Sequence, residues 1–180
     1  MSDLTQAQAP AARCTADAAA QRWRHGDQSA ARDVWEQCGG RMLRLARAVI
    51  GSQAAAEDAV QEAFLRAWRA IGRYDPQRAF EPWLATIVVR ECRRALAKET
   101  RRRAVLPQPQ PDAPGGALFE AVENLPRKLR EVVALHHMSG YSVQECAQAL
   151  QVPLGTVKSR LHRARAALAA QGFGGNRHGQ

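Results

Sequence analysis

Apolar side chains recur along this chain at helical spacing, and no alternation of period two persists, so every element that the pattern predicts is a helix. Helical patterns occupy about residues 15–24 and 28–50, the second interrupted at Gly39-Gly40. Ser52 is placed to cap a long helix over 53–71, whose core stripe is Val60, Phe64, Ala67, Trp68 and Ile71. A turn over 72–77 leads to a helix over 79–103. There Phe80, Trp83, Leu84 and Ile87 share a face that should be buried, and the apolar stripe ends near Val88. Residues 105–116 hold four prolines and two glycines, which exclude regular helix and favour an extended, exposed path. Helices resume over 117–123, 127–138, 142–150 and 154–170, while residues 1–13 read as a disordered N-terminus and 172–180 as a loose tail. The expected fold class is all-α: a small helical domain over 14–104, a flexible Pro/Gly-rich linker over 105–116, and a second helical domain over 117–171.

Within the second domain, residues 140–165 have the pattern of a helix-turn-helix. Ser142 can cap the first helix, and Glu145 three residues later completes a capping box. Val143, Cys146, Ala147 and Leu150 form one apolar stripe. Pro153 lacks an amide hydrogen and disfavours helix before it, so that helix ends and a new one starts. On the new helix Val157, Leu161, Ala164 and Leu168 share a face, and Gly155, Ser159, His162 and Ala166 point the other way, flanked by Lys158, Arg163 and Arg165. Small residues at 155 and 159 allow close approach to DNA, and the cations suit phosphates or guanine edges.

Charge sharpens this picture. The formal net charge is +9, and nearly all of it sits in two patches. Residues 90–105 hold seven Lys/Arg against two Asp/Glu, and residues 146–180 hold five against none. Two basic patches on two units point to two contacts with one polyanion. The alternative is a pair of solvated basic helix faces, which ranks lower because one patch coincides with the helix-turn-helix. Arg and Lys of the first patch can follow a phosphate backbone, and Tyr74, Phe80 and Trp83 lie beside it. Burial is the expectation for Phe80 and Trp83, while Tyr74 is open to burial or to stacking on an unpaired base.

On the 53–71 helix, Asp58, Gln61 and Glu62 cluster around Leu65 opposite the core stripe. This reads equally as a protein-binding surface and as a solvated face with one stray leucine. Cys14, Cys38, Cys92 and Cys146 are far apart and predict neither a zinc site nor a disulfide framework, so reduced thiols are expected. Neighbouring His136 and His137 point about 100° apart on a helix and make poor joint metal ligands. No apolar run approaches the roughly 20 residues of a membrane span, and residues 1–6 do not read as a secretory signal, so a cytoplasmic protein is expected. No nucleophile–base pairing or phosphate-binding glycine loop stands out, so an enzyme is the least favoured class. A free-standing two-domain DNA-binding regulator is a stronger alternative.

Taken in order, these motifs resemble the extracytoplasmic-function (ECF, group IV) sigma factors of bacterial RNA polymerase, over residues 20–170. Residues 56–68 look like the family's region 2.2 helix, 80–87 its region 2.3 to 2.4, and 125–133 with 155–165 its region 4. The resemblance implies a promoter-specificity subunit with no catalysis and no cofactor of its own. It implies that Asp58, Gln61, Glu62 and Leu65 contact core polymerase at the β′ clamp, with a second contact at the β flap. Sigma domain 2 would capture the −10 element through Tyr74, Arg90, Arg93, Arg94 and Lys98. Sigma domain 4 would read the −35 element through Gly155, Thr156, Lys158, Ser159, Arg160, His162 and Arg163. Arg90 and Arg94 stand where family members often carry Asn and Asp, the Asn commonly helping to hold a flipped base, which implies a different −10 preference. The resemblance further implies control by a separate anti-sigma protein or by transcription of the gene itself, and no membrane insertion.

Overall fold

The computed structural model describes residues 9–105 and 116–173; the expected linker and the outer parts of both termini lie outside the described residues. Helix α1 spans Ala9–Arg24. It reaches back into the stretch expected to be disordered, because Ala9, Ala11 and Ala12 are strong helix formers and Pro10 sits in the first turn, where its missing N–H costs nothing. α2 spans Ala30–Ile50, α3 Gln53–Ala70 and α4 Phe80–Val105, with a single 3₁₀ turn at Ile71–Arg73. α5 covers Ala117–Glu123, α6 Arg127–Val133, α7 Val143–Leu150 and α8 Leu154–Leu168. A wider π-helical turn extends α6 over Ala134–Met138, and α8 runs on into a segment over Ala169–Phe173 that Gly172, at φ 88°, kinks. No strand occurs among the described residues.

Two expectations for α2 and α3 need correction. α2 runs unbroken through Gly39-Gly40. Gly39 is buried, and a Cβ there would lie 3.0 Å from the Trp35 ring, so this glycine makes room for an indole and does not interrupt the helix. On α3 the buried stripe is Ala56, Ala59, Val60, Ala63 and Ala67, and Trp68 is 44% exposed. Small alanines let α3 approach its neighbours closely. The N-terminus of α3 forms as expected, with Ser52 Oγ accepting from the Ala55 amide at 3.4 Å.

α4 is centred in the first domain. Asp17 of α1 accepts the Phe80 amide at 2.7 Å and so caps α4 from a distant part of the chain. The Phe80 ring meets Trp23, Tyr74 and Trp83 at centroid distances of 6.4, 5.3 and 5.4 Å. The apolar stripe of α4 does not stop near Val88: Val89 and Cys92 are also fully buried, and Glu91 is nearly so. The reason lies in the second domain, because α7 packs across this part of α4.

The two domains are therefore not independent. One apolar core continues from α1–α4 into Val132, Leu135, Tyr141, Cys146, Leu150, Val157 and Leu161. A smaller cluster of Val122, Leu125, Leu129, Val133 and Ala164 holds α5, α6 and α8 together. Polar clasps cross the seam. Arg130 donates to the Val49 carbonyl at 2.9 Å near the end of α2, and to the carbonyls of Glu123 and Leu125. The Arg47 guanidinium lies over the Phe119 ring at 5.4 Å.

Candidate nucleic-acid and partner-binding surfaces

The helix-turn-helix is built locally. Ser142 Oγ accepts from the Glu145 amide at 3.2 Å, and Glu145 Oε2 accepts from the Ser142 amide at 2.7 Å, closing the capping box. Gln151 ends α7 in the left-handed conformation at φ 56°, and its neighbour's amide, on Val152, returns to the Ala147 carbonyl at 3.1 Å. Pro153 then opens α8, its carbonyl accepting from the Thr156 amide at 2.9 Å. Cys146, Ala149, Leu150, Val157, Leu161 and Ala164 are buried, which fixes the rotation of α8. Of the residues expected to read DNA, Gly155, Lys158, Ser159, His162 and Arg163 are exposed, and Thr156 and Arg160 are half-buried. A Cβ added at Gly155 would meet nothing within 4 Å. The fold does not require glycine there, so the space it leaves clear is outside the chain.

The second surface is on α3. Asp58, Gln61 and Leu65 are exposed, Leu65 by 53%. Glu62 pairs with Arg66 at 2.9 Å, and Arg66 also reaches the buried Glu91 at 3.0 Å. Sequence reasoning missed two neighbours. Trp35 is 45% exposed, its ring edge on Phe64 at 4.8 Å. Trp68 packs on Trp23 at 5.7 Å and keeps much of its other side in solvent. An available signal for Trp35 was its place one residue off the stripe of Val34, Cys38, Met42 and Leu45. Together these residues give the acidic face of α3 an aromatic border, the composition of a protein-binding patch.

The third surface is the basic half of α4. Tyr74 does not belong to it: the side chain is buried against Phe80 and Trp83, and its hydroxyl donates to the Arg78 carbonyl at 2.6 Å. Burial pushes its phenol up to about 12, and no ring face is left for a base. Lys98 is exposed. The three arginines are engaged within the chain. Arg94 pairs with Glu91 at 2.5 Å. Arg90 donates to Gln151 Oε1 at 2.7 Å. Arg93 forms a two-pronged pair with Glu131, Nε to Oε1 at 2.8 Å and Nη2 to Oε2 at 2.7 Å. These hydrogen bonds raise the Arg93 pKa against the opposing effect of burial. Between the basic ends of α4 and α8 lies a cleft of about 580 Å³, lined by Thr100, Arg127, Lys128, Arg160 and Arg163 among others.

Comparison with known proteins agrees with this layout. Residues 34–102 match the family model described as Sigma-70 region 2, and residues 116–168 match Sigma-70, region 4. The chain is 34% identical over 137 residues to the ECF RNA polymerase sigma-E factor of Escherichia coli (strain K12), a match covering 62% of this chain and 70% of that protein. It is also 34% identical over 160 residues to the ECF RNA polymerase sigma factor SigE of Mycolicibacterium smegmatis. That match takes in 78% of this chain and 62% of the mycobacterial protein, so the chain spans under two thirds of that relative's length. Among solved structures, CnrH in complex with the cytosolic domain of CnrY superposes with a TM-score of 0.71 at 26% identity, over 90% of this chain and 99% of CnrH. The sigma factor RpoE bound to the anti-sigma factor NepR from Bartonella quintana gives a TM-score of 0.64 at 25% identity, over 77% of this chain and 96% of RpoE.

Proposed function

The chain belongs to the ECF sigma factors of RNA polymerase, and on that premise we propose that it binds core polymerase and directs it to promoters by reading two DNA elements. The observation that carries the proposal is the pairing, on one chain, of a finished helix-turn-helix with an acidic, apolar-bordered face of α3 on which Asp58, Gln61 and Leu65 stay exposed. A free-standing regulator needs the first and has no use for the second.

In this reading α8 enters the major groove at the −35 element. Lys158 and Arg163 meet phosphates or guanine edges, Ser159 and His162 face the groove floor, and Gly155 and Thr156 allow the approach. Arg90, Arg93, Arg94 and Lys98 of α4 follow the strand at the −10 element; Tyr74, being core, takes no part. Asp58, Gln61, Glu62 and Leu65 hold polymerase, with Trp35 and Trp68 extending that contact. The bond-forming chemistry belongs to the polymerase core. Of the similar solved chains, CnrH is in complex with the cytosolic domain of CnrY and RpoE with the anti-sigma factor NepR, and the second supports control of this chain by an anti-sigma protein.

The test is a pull-down with core polymerase followed by in vitro transcription on a library of genomic fragments. Wild-type chain should bind core and start transcripts downstream of a shared pair of elements. Asp58→Arg with Glu62→Arg should abolish both while leaving helix content and melting nearly unchanged, since surface changes usually alter stability by within about 0.5 kcal/mol. Transcription that is insensitive to the double substitution would refute the assignment of α3.

A further inference from the structure

Five cations line the cleft beside the C-terminal half of α4: Arg127, Lys128 and Arg130 of α6, and Arg160 and Arg163 of α8. Among the described residues that line it there is no Asp or Glu. Arg160 and Arg163 stand three positions apart and so share a face of their helix. Lys128, Arg160 and Arg163 have no carboxylate partner among the described residues. Arg127 reaches Glu131 at 3.8 Å, a carboxylate already held by both prongs of Arg93. Arg130 is pinned by the carbonyls of Val49, Glu123 and Leu125, which fix its guanidinium without cancelling its charge. Much of the remaining wall is apolar, with Leu96 and Ala97 of α4 and Leu129 of α6.

We propose that this cleft is a binding site for a condensed phosphate: a compact anion with three or more negative charges, either free inorganic triphosphate or the phosphate tail of a nucleotide. Three observations carry it. Like charges gathered in a concave, partly apolar setting focus their field on its interior, and no carboxylate of the wall relieves it. The cleft holds about 580 Å³, within the range of about 300–1,000 Å³ for small-molecule sites. Four of the five cations are arginines, whose planar forks match phosphate oxygens two at a time. A single tetrahedral ion engages only part of such a set, whereas linked phosphates can engage cations of both α6 and α8. The alternative, a solvated basic patch, predicts no preference among anions at one ionic strength.

The site does not depend on the sigma-factor reading. Its effect does: Arg160 and Arg163 are two of the cations assigned above to the −35 element, so a bound phosphate chain and DNA exclude one another there.

The experiment titrates the full chain by calorimetry with sodium triphosphate, ATP, inorganic phosphate and sulfate, all without divalent cations and at one ionic strength. Triphosphate should occupy one site per chain, at least about tenfold more tightly than inorganic phosphate or sulfate. ATP equal to triphosphate assigns the site to the phosphate chain alone, and ATP tighter than triphosphate assigns it to a nucleotide whose base lies on the apolar wall; both uphold the site. Lys128→Gln and Arg160→Gln, each shown by circular dichroism to be folded, should weaken triphosphate by about tenfold, the usual scale of one charge-assisted hydrogen bond. Lys128 is exposed, so Lys128→Gln decides the matter should Arg160→Gln fail to fold. Arg24→Gln with Arg32→Gln removes two exposed cations outside the cleft and should leave the affinity unchanged. Triphosphate no tighter than sulfate, or an equal loss in the Arg24 and Arg32 control, would overturn the site. For the effect, triphosphate should displace a fluorescein-labelled duplex of mixed sequence bound at low salt, and do so more than sulfate at the same ionic strength. Binding without displacement would uphold the site and refute the shared use of Arg160 and Arg163. A chain that fails to bind core polymerase would refute the sigma-factor reading and leave the calorimetric result standing.

Discussion

Cys38, Cys92 and Cys146 lie wholly out of water, and burial pushes each thiol up to about 12. The thiolate is the reactive form, so these sulfurs are inert at ordinary pH. In the folded chain at pH 8 they should resist a thiol-specific colorimetric reagent, and all three should react once denaturant is added. The same shift sets a direction for stability. Each folded pKa is raised above its unfolded value near 9, so the contribution is fully present below pH 9. It is lost as pH rises from 9 toward 12, because the unfolded chain releases its protons first. Melting temperature should therefore fall across that window, and substituting the three cysteines by alanine should flatten the alkaline slope. The residues read wrongly from sequence were also decided by burial. Tyr74 was open to burial or to stacking on a base and is core, while Trp68 was placed in the core and is 44% exposed. Spacing along a helix tells which residues share a face. It does not tell which face meets another helix, and that information is held by distant residues such as Trp23 and Phe80.

At the scale of the element, the helix-turn-helix was legible almost entirely from sequence. Its cap, stripe and break are all made by residues within a few positions of one another. Ser142→Ala removes one half of the capping box and should cost about 1 kcal/mol, read as a lower melting temperature with the recognition surface of α8 intact. Its effect on DNA contacts made by the folded form should be small. α2 and α4 were less legible, for one shared reason. Gly39-Gly40 reads as a break only when the indole of Trp35 lying over Gly39 is unknown. The apolar run of α4 reads as ending near Val88 only when the packing of α7 on α4, and the shared core that takes in Val89 and Cys92, are unknown. In both cases the missing fact is a neighbour from outside the local window.

For the molecule as a whole, the sequence reading kept the two domains apart, since a stretch with four prolines and two glycines joins them. The two basic patches each read as facing DNA, and nothing in their composition shows that one carboxylate, Glu131, lets them face each other. The shared core makes a thermodynamic prediction. All four tryptophans, Trp23, Trp35, Trp68 and Trp83, lie in the first domain, so indole fluorescence follows that domain alone while circular dichroism follows both. In urea the two curves should coincide, because the seam couples the domains into one transition. Glu131→Gln should pull them apart, with part of the helical signal lost at a different urea concentration from the fluorescence change. There is a consequence for dosage. The clasp between Arg93 and Glu131 is carried on one chain, so dilution cannot undo it and abundance cannot outrun it. A cell holding few copies and a cell holding many would keep the same proportion with its domains docked. Making more of the protein multiplies the supply without changing that proportion, which shifts only through a molecule that tells the docked and the parted shapes apart.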